Sequence, residues 1–247
     1  MKKKDVIKCL SSLIFVFTIM ACENPEPYGD MTISVTSFPD DNFVEGVQVT
    51  LYSTLEDFNT ETNSLRETQL TDKDGKVKFF NLRRNTYYIN LVKGSLNNWE
   101  SSKIKRDIII TDNGFVNEFS YTIGMTRAGI LSSPKGKIWK ITRVLKDGED
   151  ITDTFEACKL DDQYVFFKGG KYILDQGIAK CNASHPQQSI GTWAFSEDDT
   201  KIQLSVNNSN HELNLESIGV DQFIVLSKTL INEDSANLMI TFELVSP

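Results

Sequence analysis

The stretch Gln163-Tyr-Val-Phe-Phe-Lys-Gly-Gly-Lys-Tyr-Ile-Leu-Asp175 sets two short runs of aromatic and β-branched residues on either side of Gly169-Gly170. Side chains alternate between faces along a strand, and glycine accepts the positive φ of a tight turn, so the stretch predicts two antiparallel strands joined by a hairpin. The same pattern continues on both sides. Lys137 to Val144, carrying Trp139, precedes it; Ile190-Gly-Thr-Trp-Ala-Phe195 follows after a polar loop. Lys201 to Val206, His211 to Glu216, Gln222 to Leu226 and Leu238 to Val245 come next, separated by short turns such as Asn207 to Asn210. Eight strands in up-and-down order predict a closed barrel over 136–247, since closure removes exposed strand edges.

Upstream, residues 30–124 read as a second, separate β unit. Val47-x-Val49-x-Leu51 and Val77-x-Phe79 each put apolar side chains on one strand face. Thr71-Asp-Lys-Asp-Gly75 lies between them and reads as a turn, with aspartates able to accept neighbouring amides and a glycine suited to positive φ. Tyr87 to Leu91, Ile108 to Ile110 and Phe115 to Tyr121 complete about seven strands, the number of a sandwich. Asp72-x-Asp74-Gly75 also opens several calcium loops. Here Lys76 occupies the third ligand position and no acidic residue closes the loop, so a plain turn is expected.

The chain has 247 residues, 40% of them hydrophobic and 10% aromatic, enough for two modest cores, and helical periodicity is scarce. Residues 125–135, with Gly129, Ser132, Ser133 and Pro134, are expected to form a linker. Residues 22–29, which include Pro25 and Pro27, are expected to form a tether.

The N-terminus carries Lys2, Lys3, Lys4 and Lys8, then an apolar run from Leu10 to Ala21 that ends at Cys22. That run is shorter than the about 20 apolar residues a membrane span needs. Ile19-Met20-Ala21-Cys22 resembles the signal of bacterial lipoproteins. The resemblance implies a signal peptide over 1–21 and a diacylglyceryl group on the Cys22 thiol. A further acyl chain on the new amino group makes such anchoring stable. Loss of the leader's net +3 takes the formal charge from −8 to −11. An acidic body gains nothing from counterion release on DNA or RNA, so nucleic acid is excluded as a partner, and lipid is left as the attachment to a membrane.

In the first unit, Gly46-Val-Gln-Val-Thr-Leu-Tyr52, Thr71 to Phe79, Leu82 and Tyr87-Tyr88-Ile89 resemble the transthyretin-like sandwiches of carboxypeptidase regulatory domains and collagen-adhesin B-type repeats. That resemblance implies an interaction or spacer module. In the second unit, Trp139, Cys158, Asp161-Asp162, Phe166, Gly169-Gly170, Cys181 and Gly191-Thr192-Trp193 resemble the lipocalin-like domains of Bacteroidota lipoproteins. Lipocalins proper carry Gly-x-Trp on the first strand; here it falls in the middle of the domain.

Four cysteines are present. Cys9 leaves with the leader and Cys22 takes lipid, which leaves Cys158 and Cys181 as a pair in an oxidising compartment, where a disulfide is expected. Zinc is the alternative, held by Cys158, Cys181, His185 and His211, but no Cys-x-x-Cys or His-x-x-x-His anchors that set. Neither histidine has a serine nucleophile in a recognisable turn, and the adjacent aspartates at 161–162 and 198–199 read as solvated turns. No catalytic residue, metal or cofactor is assigned.

These readings describe a non-catalytic binding or assembly module anchored by lipid to the outer membrane of a cell envelope, at its periplasmic or its surface face. One alternative is a carrier whose barrel holds a small apolar ligand, with Trp139, Phe166, Trp193 and Phe195 lining or plugging the interior. The other is a structural, fimbria-like adhesion subunit. The partners expected are the membrane, and either a small apolar ligand or another envelope protein.

Overall fold

The computed structural model describes residues 28–83, 85–99, 107–109, 116–207, 209–231 and 234–246. Cys22 and the leader lie outside the described residues. The chain is all-β, with two sandwiched sheets followed by a closed barrel. None of the described helices is long and apolar enough to cross a membrane.

The first unit contains β1 (Tyr28–Ser37), β2 (Gln48–Tyr52), α1 (Leu55–Thr60), β3 (Gln69–Leu70), β4 (Lys76–Arg83), β5 (Thr86–Lys93), β6 (Leu96–Asn97), β7 (Asp107–Ile109) and β8 (Val116–Ile123). About seven strands were expected; among the described residues there are eight, two of them only two residues long. One sheet runs β4-β1-β8, with β8 parallel to β1; the other runs β3-β2-β5-β6, with β7 also on β5. Period-2 alternation supplies the core between them: Met31, Ile33 and Val35 of β1 pack with Val49 and Leu51 of β2, with Val47 just before it, and with Ile89 and Leu91 of β5, all fully buried.

The turn at Thr71 to Gly75 is closed by Asp72, whose carbonyl accepts from the Gly75 amide at 2.9 Å. Asp72 Oδ1 accepts from the amides of Asp74 and Lys76, both at 2.9 Å. Gly75 has φ +68, and a Cβ there would lie 2.6 Å from the Val35 carbonyl oxygen. Only glycine fits this position.

Residues 125–135, expected as a linker, carry α2 (Arg127–Leu131), whose Ala128, Ile130 and Leu131 are buried. The Thr126 hydroxyl accepts from the Gly129 amide to cap the helix, and donates to Asn97 Oδ1 of the first unit at 2.6 Å. At its other end, Lys137 Nζ donates to the carbonyls of Gly129 and Ile130. Glycine and serine there serve caps and close packing, not a flexible connection: a Cβ on Gly129 would meet the Asn97 side chain at 2.2 Å.

The second unit contains β9 (Lys137–Lys146), β10 (Glu149–Asp150), α3 (Ala157–Leu160), β11 (Gln163–Phe166), β12 (Lys171–Asp175), β13 (Gln188–Phe195), β14 (Lys201–Val206), β15 (Ser209–Ile218), β16 (Gln222–Ile231) and β17 (Asp234–Ser246). A short 3₁₀ turn, Thr152–Thr154, precedes α3. Every neighbouring pair is antiparallel, and β17 returns to pair with β9 from Leu238↔Lys146 to Ser246↔Ile138. With β10 only a short flap on β9, eight strands close the barrel.

The hairpin turn of the opening stretch forms the joint between the two units. Gly169 (φ +84) and Gly170 (φ +92) turn the chain, and Lys168 is carried into the first unit. Its Nζ lies 2.9 Å from Glu61 Oε1 and 3.1 Å from Asn90 Oδ1, with the rings of Phe58 and Trp99 at 3.9 and 4.6 Å. Asn90 Nδ2 donates to Glu61 and Trp99 Nε1 donates to Asn90, so the Lys168 ammonium, the Glu61 carboxylate, the Asn90 amide and the Trp99 indole form one network.

Candidate functional site: the barrel interior

Inward-facing residues sort by size along the barrel axis. At the end near the first unit, Trp139, Phe166, Trp193, Phe195 and Phe223 make a buried aromatic cluster. Trp139 lies edge-on to Phe223 at 5.0 Å, Phe166 edge-on to Trp193 at 5.7 Å, and Phe223 is stacked on Phe242 at 4.5 Å. Each indole N–H is spent on a backbone carbonyl, Trp139 on Leu131 and Trp193 on Phe167, both at 2.9 Å. α2 closes that end from outside.

Towards the other end the side chains shrink to Leu204, Val206, Leu213, Val225, Ser189 and Ser227, and a cavity of about 800 Å³ opens among them. That volume lies in the range of small-molecule sites. Tyr164, Tyr172, Leu174 and Phe242 form further wall, and Phe155, Lys159, Gln176, His185 and Pro186 form the rim. The structure therefore brings the four candidate residues Trp139, Phe166, Trp193 and Phe195 together as the floor beneath the cavity; none of them lines it. The lining itself comes from residues with a weaker signal, the apolar alternation Leu204-x-Val206 and Leu238-x-Ile240-x-Phe242, which by itself resembles ordinary core.

The rim is stapled. Cys158 of α3 and Cys181 of the loop between β12 and β13 are joined in a disulfide, with Cα atoms 5.1 Å apart. Among the described residues, the group of His, Cys, Asp and Glu close enough to hold a metal is Glu156, Cys158 and Cys181. His185 and His211 are not in it. With both sulfurs in the disulfide, the zinc set has lost its thiolates. His185 instead sits within 3.5 Å of the Gln176 amide, and His211 borders the cavity from β15.

Asp161 and Asp162, just before β11, and Asp175, at the end of β12, put three carboxyl groups at one end of the barrel. Burial, with the charges of Asp161 and Asp175 nearby, pushes the Asp162 carboxyl up to about 6. Burial raises the Tyr164 and Tyr172 phenols as well, and the Asp162 charge adds to both. Asp175 is held below the usual carboxylate range by hydrogen bonds from Gln188, Gln187 and the Gly177 amide.

No family model matches the chain, and no curated protein matches it. Among solved structures it is similar to a streptococcal ancillary pilin, with 10% identity and a TM-score of 0.32 over 89% of this chain and 59% of that one. It is similar to BcpA, the major pilin subunit of Bacillus cereus, with 9% identity and a TM-score of 0.31 over 88% of this chain and 59% of that one. It is also similar to the D295N mutant of the shaft pilin SpaA from Lactobacillus rhamnosus GG, with 10% identity and a TM-score of 0.30 over 86% and 92%. The chain thus spans less than two thirds of the first two. Likenesses this low carry no argument about function.

Proposed function

We propose that the second unit is a small-molecule-binding barrel, the carrier part of a non-catalytic envelope protein held to a membrane by lipid on Cys22. The observation that carries this reading is the cavity itself: about 800 Å³, walled by leucine, valine and aromatic side chains, closed below by an aromatic floor and open at a disulfide-braced rim. A barrel built only for stability would fill that space with side chains, as the floor end of this one does. The half-buried Leu174, Leu213 and Ile240 keep apolar surface facing the cavity, where an apolar ligand gains about 25 cal/mol per Å² covered. The test is Leu213→Trp, which places an indole in the cavity: binding of a decyl-chain amphiphile falls at least about tenfold while the barrel still folds.

A second reading, a structural assembly subunit, is favoured by the joint at Lys168, which couples two β units into one body. It predicts concentration-dependent self-association of the purified chain and no dependence of that association on Leu213→Trp.

A further inference from the structure

Tyr164 of β11 and Tyr172 of β12 both line the cavity. In the β11–β12 ladder Tyr164 stands opposite Leu174 and Tyr172 opposite Phe166, so the two tyrosines are diagonal neighbours on one inner face. Their rings are packed: Tyr172 lies 5.1 Å from Phe166 of the floor, and Tyr164 lies edge-on to Phe242 at 5.0 Å. Their hydroxyls are not. Among the described residues neither phenol O–H has a hydrogen-bond partner, although Tyr172 is only 2% exposed. Both oxygens keep surface open to the cavity, unlike the sealed and unpartnered Gln176 Oε1.

A buried tyrosine ordinarily finds a partner for its O–H, and a donor left without one is costly. Phenylalanine would fill the same wall without that cost, as Phe166 and Phe223 do in the floor. Ser189 of β13 adds a third hydroxyl beside this pair. It faces Leu174 across the ladder, lines the cavity, and accepts from Asn207 Nδ2 at 3.2 Å, which leaves its own hydrogen to donate. Burial holds both phenols above their ordinary range, so they stay protonated donors. The charged side chains of the lining, Glu156 and Lys159, are paired with each other at 2.8 Å on the rim. The Asp162 charge reaches both phenols and repels an anion set beside them. An ammonium brings donors and needs acceptors, of which this pair offers only the phenol oxygens themselves. A carbonyl brings an acceptor and no charge.

We infer that the cavity takes a neutral, largely apolar molecule bearing a carbonyl oxygen, which accepts hydrogen bonds from the Tyr164 and Tyr172 hydroxyls while its apolar chain lies against Leu213 and Val225. This rests on the carrier reading and adds the chemistry of the ligand and the residues that select it. β15 and β16 stand across the eight-strand ring from β11 and β12, so Leu213 and Val225 form the wall facing the two phenols. The polar atom of the ligand is therefore held inside the barrel, just above the aromatic floor. An amphiphile that keeps its head group in water at the rim does not touch these hydroxyls.

The test is calorimetric titration of the full chain with four probes that share a decyl chain: methyl decyl ketone, sodium undecanoate, decylamine and decyltrimethylammonium. Tyr164→Phe combined with Tyr172→Phe keeps both rings and removes both hydroxyls. It is expected to weaken the ketone about tenfold and to change the other three by about twofold or less. Infrared spectra give a second readout. The carbonyl stretch of the bound ketone is expected below its frequency in alkane solvent with the wild type and back near that frequency with the double variant. Should the double variant fail to fold, Tyr164→Phe alone and the wild-type carbonyl frequency still decide. A ketone that binds equally well without the hydroxyls, or whose lowered stretch persists without them, overturns the inference and leaves the carrier standing. Undecanoate or decylamine losing as much as the ketone overturns the neutral carbonyl, and an equal loss of all four marks a change of cavity shape and overturns it too. Binding of none of the four to the wild type overturns the carrier reading itself.

Discussion

Lys168 Nζ lies 2.9 Å from Glu61 Oε1, a cation of the barrel hairpin paired with a carboxylate of the first unit across 107 residues of sequence. The lysine side chain is 2% exposed and the glutamate 32%, so the charge that suffers most from burial belongs to the barrel. Glu61, Asn90 and the faces of Phe58 and Trp99 stand in for the water it has lost.

Removing either charge exposes that dependence. Lys168→Ala is expected to destabilise the chain by about 3 kcal/mol. Glu61→Gln, which leaves the ammonium buried beside neutral partners, is expected to cost about 2 kcal/mol or more. Urea unfolding followed by tryptophan fluorescence checks both. One transition in the wild type and two in Lys168→Ala is the signature of a joint that couples the units.

The same joint has a steric test. A Cβ on Gly169 would meet the Asn59 side chain at 2.2 Å, and φ +84 is strained for any other residue. Gly169→Ala is expected to lose about 2 kcal/mol or more. Adding Asn59→Ala removes the clash but not the backbone strain, so the double variant recovers about half of the loss in thermal unfolding.

The disulfide braces the rim. It closes a separation of 23 residues, worth about 3 kcal/mol in the chain-entropy description. Cys158→Ser with Cys181→Ser is expected to lower stability by about that amount and to speed ligand release more than ligand entry. In the native protein neither thiol is expected to react with iodoacetamide before reduction; free alkylation of both contradicts the pairing.

Asp162 gives the chain an unusual pH dependence. Its folded carboxyl is raised to about 6 from the ordinary 3.8, so between these values the folded state binds more protons than the unfolded state. Stability from this group therefore falls as pH rises through that window and stays lower above pH 6. Asp57, Asp150 and Asp198 titrate in the opposite sense, being held low by hydrogen bonds, so the comparison must be with a variant. Asp162→Asn is expected to stabilise the chain by about 1–2 kcal/mol at pH 7.5, after allowing for solvent screening, and to have little effect at pH 4.

Much of this was legible in the sequence where one physical signal dominates. The barrel order followed from alternation and turns: the Gly169-Gly170 hairpin and the Asn207 turn fall between the expected strands. The cysteine pair followed from compartment and count. α2 was not legible, because in five residues a helix has too little periodicity to register, and its glycine and serine resemble a linker. The floor and the wall of the cavity were not separable either. Both alternate with period 2, and only the closed barrel reveals that Trp193 sits at one level and Val206 at another. Lys168 reads as the last residue of a strand before the Gly169-Gly170 turn, since nothing local marks a lysine that will be buried against another unit.

The central claim is that the barrel holds a small amphiphile, and native mass spectrometry of the chain purified without detergent tests it most directly. The account predicts a bound species of a few hundred daltons, released by organic extraction and absent from Leu213→Trp. A protein of bare polypeptide mass, to which no decyl-chain amphiphile adds, would contradict it.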